Sequence, residues 1–195
     1  MREAPRAGAR IALAAVAVWA ALTGLPVAAS RSLPAQGTLE VAFSPADDAE
    51  ALLLRVIAAT RETLHVQAYA FTSRRIADAL VAAHRRGVRV AVLADAGMNA
   101  RGAKGALSRL LAAGVPVALE TRYAAAHNKL LIADAGGPGC AVATGSYNFT
   151  WSARNRNAEN LLVLRDNCPL AATYLDNWKR HRAESTLITK LPWKP

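Results

Sequence analysis

From about residue 39 to residue 183, two patterns of apolar residues follow one another in turn along this chain. Short apolar runs indicate β-strands, which we predict at residues 39–43, 64–71, 88–93, 115–119, 128–133, 140–145 and 160–165. Apolar residues three and four positions apart indicate amphipathic helices, which we predict at residues 45–61, between 73 and 87, at 104–113 and at 169–183. The strand, helix and strand of residues 64–93 have the length of a right-handed parallel crossover.

Two helix starts carry specific signals. Ser44 and Pro45, with Asp47 close behind, combine a capping serine, a proline suited to the first helical position and an acidic first turn. Thr72 or Ser73 can cap the next helix in the same way. We therefore predict that the first helix begins at residue 45 and the second directly after residue 73.

The helical crossovers stop after residue 119, and the next three strands are separated by a Gly-rich turn at 136–139 and by residues 149–158. Helices that alternate with strands cover both faces of a sheet. The sequence thus predicts an α/β/α sandwich with a mixed, largely parallel sheet, parallel in its first half and partly antiparallel in its second. We predict that the domain spans residues 39–185 and that 186–195 form an exposed tail.

The first 29 residues have the pattern of a secretory signal peptide. Three arginines precede an apolar run at residues 11–22, and small residues follow up to Ala29, where we predict cleavage. Residues 30–38 then form a polar linker. The alternative is an uncleaved membrane anchor, although the apolar run is shorter than the ~20 residues of a spanning helix. We expect a periplasmic or secreted protein.

Composition narrows the class of protein and of partner. A chain of 195 residues that is 53% hydrophobic and 19% charged is globular and long enough for one domain. Its net charge of +10 comes mainly from arginine. Such a charge suits a polyanionic partner, either nucleic acid or an anionic lipid surface.

The chain has two cysteines, Cys140 and Cys168. If the strands near 140–144 and 160–165 pair antiparallel, the two cysteines come close together, and an exported protein could form a disulfide there. The alternative is two small buried apolar side chains. Acidic, Cys and His residues do not recur with metal-ligand spacing, so we predict no metal and no cofactor.

The most distinctive stretch for chemistry runs from His127 to Asp134. In a strand, His127 and Lys129 point to the same face, because side chains alternate. Asp134 lies about 24 Å from His127 along an extended strand and has opposite parity. We therefore predict that Asp134 has a structural role and anchors the following turn or a buried arginine.

A second polar pair, Ser146 and Asn148, follows the next predicted strand. If that strand neighbours the His127 strand, the hydroxyl and amide converge beside Lys129 on a shared ligand. Hydrogen-bond donors beside an imidazole suit a phosphate group. The alternative, an ordinary helix cap, would be favoured if the pair stood alone.

These residues carry a family resemblance. His127-x-Lys129-x4-Asp134 followed by Gly145-Ser146-x-Asn148 resembles the signature of the phospholipase D superfamily. The similarity covers about residues 41–179 and is closest to the family's small, single-motif bacterial nucleases. Softer matches are Tyr69-Ala70-Phe71-Thr72-Ser73, Arg86-Gly87-Val88 and Asn157-Ala158-Glu159-Asn160.

The resemblance implies a role for each matched residue. His127 would attack phosphorus and form a phosphohistidine. Lys129 and Asn148 would bind the non-bridging oxygens, with Ser146 supporting them. Glu159 matches the acid that hydrogen-bonds the far nitrogen of the histidine and so fixes its tautomer.

The family's chemistry uses two histidines, one as nucleophile and one as acid to the leaving oxygen. A chain with one motif can satisfy it as a twofold homodimer in which the two His127 residues face each other. The resemblance therefore predicts a homodimer with its active site at the subunit interface.

The sequence is compatible with more than one class of substrate. Basic charge, aromatic residues and arginines near the motif favour a sequence-nonspecific endonuclease on DNA, and RNA as a further substrate. The alternatives are hydrolysis of a phospholipid headgroup ester at a membrane and a catalytically silent nucleic-acid-binding domain. The residues expected at the binding rim are Tyr123, Tyr147, Trp151, Arg154 and Arg156.

Overall fold

The computed structural model describes residues 30–101 and 105–193, so the predicted signal peptide lies outside the described residues. Eight strands form one sheet in the order β1-β7-β6-β5-β2-β3-β4-β8. The strands are β1 (Thr38–Ser44), β2 (Thr63–Ala68), β3 (Arg89–Asp95), β4 (Val117–Glu120), β5 (Lys129–Ala133), β6 (Ala141–Gly145), β7 (Glu159–Arg165) and β8 (Thr186–Ile188). The helices are α1 (Ala49–Ala59), α2 (Arg74–Arg85), α3 (Ala96–Arg101), α4 (Ala106–Ala112), α5 (Trp151–Asn155) and α6 (Cys168–Ala183).

The sheet is mixed, as the sequence predicts. Within the described chain, parallel pairing is confined to β2, β3 and β4. Strands β5, β6, β7 and β1 add to β2 by antiparallel pairing, and β8 adds to β4 in the same way. The predicted parallel pairing is confirmed for β2, β3 and β4, but β1 pairs antiparallel with β7. The sheet as a whole is less parallel than expected because β5, β6 and β7 follow one another without a parallel crossover.

Helices cover both faces of the sheet, which confirms the α/β/α arrangement. On one face, Leu53 of α1, Leu80 of α2 and Leu110 of α4 are fully buried in a core that also contains Leu131 of β5. On the other face, Trp178 of α6 packs in a second core, whose other members include Leu130, Ile132, Val142 and Ala171. The alternation of Leu130, Leu131 and Ile132 between the two cores follows from the two-residue period of a strand.

The start of the first helix differs from the prediction. Ser44 belongs to β1, where it pairs with Glu159, and its hydroxyl donates to the carbonyl of Ala153 at 2.6 Å. Ser44 therefore cannot cap a helix. Asp48 caps α1 instead, by accepting from the backbone N–H of Ala51 at 3.0 Å. The predicted cap of the second helix at Ser73 is confirmed.

The segment predicted as an exposed tail is part of the fold. Residues Thr186–Ile188 form β8 at the edge of the sheet, in antiparallel register with Val117–Leu119. Leu191 and Trp193 then pack against the main core. The three-residue strand carries too short a pattern to be recognised in the sequence.

Strands β6 and β7 pair antiparallel as expected, with Ala141 opposite Arg165. The structure joins Cys140, directly before β6, to Cys168, the first residue of α6, in a disulfide. This bond fastens α6 to the centre of the sheet. Among the described residues, no helix is both long enough and apolar enough to span a membrane.

Candidate active site

The predicted site residues lie together at one end of the strands of the sheet. Strands β2 and β6 end there, whereas the antiparallel β5 and β7 begin there. His127 therefore comes just before β5, Ser146 and Asn148 follow β6, and Glu159 opens β7. Residues that are up to 32 positions apart in the sequence thus meet at neighbouring strand ends.

His127 and Lys129 contact each other directly. The Nζ atom of Lys129 lies 3.0 Å from Nδ1 of His127 and also donates to the His127 carbonyl oxygen at 2.6 Å. Lys129 is only 5% exposed, whereas His127 is exposed. The predicted placement of both side chains on one face of the strand agrees with this contact.

Tyr69 completes the immediate surroundings of this pair. Its ring centroid lies 4.3 Å from that of His127, and Nζ of Lys129 lies 4.8 Å from the Tyr69 ring centroid. The backbone N–H of Tyr69 donates to the carbonyl of Asn128 at 3.0 Å. The sequence analysis assigned Tyr69 no role, although Tyr69 opens one of the segments that carry the family resemblance.

The pKa of Lys129 is lowered from its ordinary value of 10.5. The main cause is burial, which disfavours the charged ammonium, and the negative charge of Glu159 opposes this effect. An ammonium held in a partly desolvated position is well suited to bind phosphate oxygens.

Gly145, Ser146 and Asn148 form the turn that leaves β6. Gly145 has φ 153°, and a Cβ atom there would lie 2.3 Å from the carbonyl oxygen of Asn160. Glycine is therefore required for the close approach to β7. The Ser146 Oγ accepts from the backbone N–H of Asn160 at 3.1 Å, and Oδ1 of Asn148 is buried without a hydrogen-bond partner in the described chain.

The Ser146–Asn148 turn is connected to the His127 segment through residues 69–71. The backbone N–H of Phe149 donates to the carbonyl of Ala70 at 3.1 Å, while Tyr69 binds Asn128 as described above. Phe71 and Phe149 form a β-bridge with ring centroids 5.6 Å apart. The two predicted phosphate-binding segments therefore flank the same short loop.

Glu159 differs from the expectation in its hydrogen bonds. Its Oε1 accepts from Nδ2 of Asn157 at 2.9 Å. Nδ1 of His127 faces Lys129, and within residues 30–101 and 105–193 Glu159 does not bond to the imidazole. The structure thus pairs Nδ1 of His127 with Lys129, and Glu159 with Asn157.

Asp134 lies at the far end of β5. Its carboxylate accepts from the backbone N–H groups of Arg61, Glu62 and Thr63 at 2.8, 2.8 and 2.9 Å. The carboxylate of Asp134 therefore anchors the beginning of β2 and binds the backbone, not the side chain, of Arg61. The predicted contact with the turn is made by the Asp134 carbonyl oxygen, which accepts from the backbone N–H of Gly137 at 3.1 Å. This position fixes β2 against β5 without any contact with His127.

Two buried residues that the sequence did not indicate shape the loops around His127. Asp95 accepts from the backbone N–H of Ala126 at 2.8 Å. Asn99 donates to the carbonyl of Tyr69 at 2.7 Å and accepts from the N–H of Phe71 at 3.0 Å. Asp95 thus holds the segment before His127, and Asn99 holds the loop that carries Tyr69.

The other three histidines of the chain are engaged elsewhere. The His65 ring packs against Trp178, with ring centroids 4.6 Å apart. Nδ1 of His181 lies 2.6 Å from Oε1 of Glu120. His84 lies near the C-terminal end of α2. Across the described ranges, no group of three or more His, Cys, Asp and Glu side chains is arranged to hold a metal ion.

The binding rim is smaller than the sequence suggested. Tyr147 is fully buried, and Arg154 is held by Asp48 at 3.1 Å and by Glu50 at 3.3 Å. Trp151, in contrast, is 64% exposed, and Arg156 is exposed as well. The site therefore offers an exposed imidazole beside a buried ammonium, and Trp151 and Arg156 add an exposed aromatic and an exposed cationic side chain at the two ends of α5.

Comparison with known proteins connects this site to a family. The family model described as "Cardiolipin synthase, PLD-like domain" matches residues 53–182. The chain is 33% identical over 153 residues to a phospholipase D of Rickettsia prowazekii, covering 78% of this chain and 72% of that protein. It is 35% identical over 115 residues to the mitochondrial cardiolipin hydrolase of Mus musculus, covering 58% of this chain and 49% of that protein.

Solved structures show the same architecture. The phospholipase D family member Nuc from Salmonella typhimurium superposes with a TM-score of 0.74 at 30% identity, covering 78% of this chain and 99% of Nuc. NucT from Helicobacter pylori superposes with a TM-score of 0.63 at 22% identity, covering 78% of this chain and all of NucT (100%), a likeness of fold alone. The similarity therefore extends over nearly the whole described domain.

Proposed function

The chain belongs to the phospholipase D superfamily of phosphodiesterases, and from this premise we propose that it is a metal-independent endonuclease that cuts DNA, and RNA as well, without sequence preference. His127 attacks phosphorus and forms a phosphohistidine, which water then hydrolyses. Lys129 stabilises the charge on the non-bridging oxygens, and Ser146 and Asn148 donate to them.

The contact between Lys129 and His127 gives this mechanism an activation step. A lysine that donates to Nδ1 leaves the proton of a neutral imidazole on Nε2, where it blocks nucleophilic attack. An incoming phosphate competes for the Lys129 ammonium and removes it from Nδ1. The imidazole proton can then reside on Nδ1 with Glu159 as its acceptor, so that Nε2 is free to attack. The coupling between Glu159 and Lys129 supports this exchange.

The second histidine comes from another copy of the chain in this proposal. All four histidines of the sequence lie in the described ranges, and the contacts of His65, His84 and His181 leave none of them beside the His127 ring. His127 is exposed at the end of the sheet where β5 begins, and a twofold axis there could bring two copies together. We therefore propose a homodimer in which each His127 protonates the leaving oxygen of the reaction begun by the other.

The observation that carries nucleic acid as the substrate is the exposed aromatic and cationic pair Trp151 and Arg156, added to a net charge of +10 that would attract nucleic acid and anionic lipid alike. A polyanionic backbone is attracted by this charge and released by salt. Exposed Trp151 and Arg156 offer a stacking surface and a phosphate contact at the site edge. The disulfide between Cys140 and Cys168 supports export to the periplasm or the medium, because such bonds persist in oxidising compartments.

A second candidate function is hydrolysis of a phospholipid headgroup ester. It is favoured by an apolar stripe on edge strand β1, where Leu39, Val41 and Phe43 are 66%, 55% and 55% exposed. Alternate residues of one strand face the same side, so the stripe could rest on a membrane. The names of the relatives from Rickettsia and mouse agree with this candidate.

One experiment separates the two candidates. The purified protein and its His127→Ala variant are assayed in excess EDTA on plasmid DNA and on vesicles of phosphatidylcholine or cardiolipin. We expect nicking of DNA that is lost in the variant. Hydrolysis of lipid without nicking would establish the second candidate, and nicking that persists in the variant would remove His127 from the mechanism.

A further inference from the structure

A chain of hydrogen bonds with a buried middle, formed by Gln67, Glu120 and His181, connects the exposed Asn128 of the catalytic segment to helix α6. Nδ2 of Asn128 donates to Oε1 of Gln67 at 3.2 Å. Nε2 of Gln67 donates to both carboxylate oxygens of Glu120, at 3.0 and 2.9 Å. Nδ1 of His181 lies 2.6 Å from Oε1 of Glu120, and Arg180 lies 3.1 Å from Nε2 of His181.

The chain of bonds has one consistent direction. Arg180 can only donate, so Nε2 of His181 accepts and Nδ1 carries the proton that is donated to Glu120. Glu120 then receives N–H groups from both Gln67 and His181. Since Gln67 donates with its nitrogen, its oxygen is the acceptor for Asn128. The carboxylate of Glu120 can only accept, and it therefore determines which group donates and which accepts in every bond of the chain.

Burying these polar groups costs free energy, because each loses its hydration. Gln67 is 0%, Glu120 3% and His181 7% exposed. A carboxylate removed from water needs several donors to offset its lost hydration, and a polar network that is fully satisfied holds its members in one geometry. Gln67 lies in β2, which is paired with β5 on one side and with β3 on the other, so its backbone is fixed by the sheet.

The loop before His127 is fastened to the same part of α6. The Tyr123 ring lies 5.1 Å from that of His181, and the Tyr123 hydroxyl donates to Glu184 at 2.8 Å. Arg122 adds an ion pair to Glu184 at 2.6 Å. The segment around His127 is thus held from both sides by residues that surround His181.

We propose that Glu120 is a positioning residue of the reaction at His127, acting through Gln67 and Asn128. Asn128 lies between His127 and Lys129, so fixing its side chain fixes the backbone from which both catalytic groups extend. Displacements of about 1 Å at reacting groups reduce rates by up to about a hundredfold. The inference rests on the proposed role of His127 but not on the identity of the natural phosphodiester.

A double-mutant cycle in the full-length protein tests this link. Glu120→Gln, Asn128→Ala and the double variant are compared with the unsubstituted protein on bis(p-nitrophenyl) phosphate, a small phosphodiester that is neither DNA nor lipid. We expect Glu120→Gln to lower kcat about tenfold with KM unchanged, and to lower it less than about twofold in the Asn128→Ala background. Such non-additivity is the signature of residues in one network. Equal factors in both backgrounds, or no effect, would overturn the proposal.

A second measurement does not depend on turnover. The imidazole Cε1–H resonance of His127 is assigned by its absence from the spectrum of His127→Ala and recorded at one fixed pH. We expect Glu120→Gln to displace this resonance, because the ring changes its position relative to its neighbours, and the displacement to vanish in the Asn128→Ala background. A displacement that persists there would reveal a direct effect of Glu120 and reject the relay. If the unsubstituted protein does not cleave the phosphodiester, the proposed function fails while this measurement still decides the relay.

A matched control separates positioning from packing. His65 lies on the same face of β2, two residues before Gln67, and packs on α6 through Trp178, while its Nδ1 has no partner in the described chain. His65→Phe is expected to leave kcat unchanged, and an equal loss of kcat would overturn the proposal. If Glu120→Gln is unfolded by circular dichroism, Gln67→Met, which removes the middle of the relay without changing its volume much, takes its place in the cycle.

Discussion

The ammonium nitrogen of Lys129 lies 3.0 Å from Nδ1 of His127, so the two principal residues of the candidate site are in direct contact. Burial lowers the pKa of Lys129. Its proton is therefore lost at a lower pH than that of an ordinary lysine. The proposed mechanism needs the ammonium, so it predicts that activity declines on the alkaline side below the ordinary pKa of 10.5.

We expect Lys129→Arg to have a lower maximal rate but an alkaline limb displaced to higher pH, because guanidinium stays protonated. The pH dependence of kcat/KM measures this. Lys179→Arg, at an exposed position on α6, is the control and should leave the limb in place. An unchanged limb in Lys129→Arg would show that another group controls alkaline inactivation.

The same pKa predicts how stability varies with pH. The unfolded chain binds a proton at Lys129 up to a higher pH than the folded chain does. Stability should therefore rise as the pH increases from the lowered pKa towards 10.5. Denaturant unfolding of the protein and of Lys129→Met across this range would show the rise in the former and a smaller rise in the latter.

Gly145→Ala should disrupt the turn that carries Ser146 and Asn148. A Cβ atom there would lie 2.3 Å from the Asn160 carbonyl oxygen, and φ of 153° is outside the range that alanine favours. We expect a loss of about 3 kcal/mol in stability and a loss of activity in the remaining folded protein. Gly136→Ala is the control, since its Cβ would meet nothing within 4 Å. Equal stability of the two variants would refute the close approach.

Asp134→Asn should weaken the fold and spare the chemistry. Three backbone N–H groups at the start of β2 depend on this carboxylate, and an amide can accept at only one of its two positions. We expect about 3 kcal/mol of destabilisation in urea unfolding, with kcat per folded molecule nearly unchanged. A folded variant without activity would instead place Asp134 in the reaction.

Loss of the disulfide should lower stability by about 3 kcal/mol. Cys140 and Cys168 are 28 residues apart, and the closed loop restricts the unfolded chain. The Cys140→Ala, Cys168→Ala double variant is compared with the oxidised protein by thermal unfolding, with and without reductant. Reductant should lower the melting temperature of the natural protein only. A response of the double variant to reductant would indicate an unrelated effect.

Much of the site follows from local pattern. The contact of His127 with Lys129 needs only the alternation of a strand, and the separation of Asp134 from both needs only its length. The residues that the sequence did not indicate, such as Gln67 and Glu120, become neighbours through the strand order of the sheet. No short-range pattern encodes that order, because β5 inserts beside β2 across two intervening strands of the chain.

The two wrong predictions about the fold have a similar origin. Ser44 carries a capping signal, but its pairing with Glu159, 115 residues later, holds it in a strand. The local preference is weaker than the pairing. Strand β8 was missed for the same reason, since three residues gain strand conformation only by contact with the exposed edge of β4.

The pairing of β1 also sets an order of events during folding. Among the described strands its only neighbour is β7, and the register joins Thr38 to Arg165. A chain that emerges from the ribosome amino terminus first must therefore complete about 120 further residues before β1 finds its partner. Until then Leu39, Val41 and Phe43 belong to an unpaired, apolar strand, the kind of segment that mispairs with other chains. The first of the described strands to be synthesised is thus placed late.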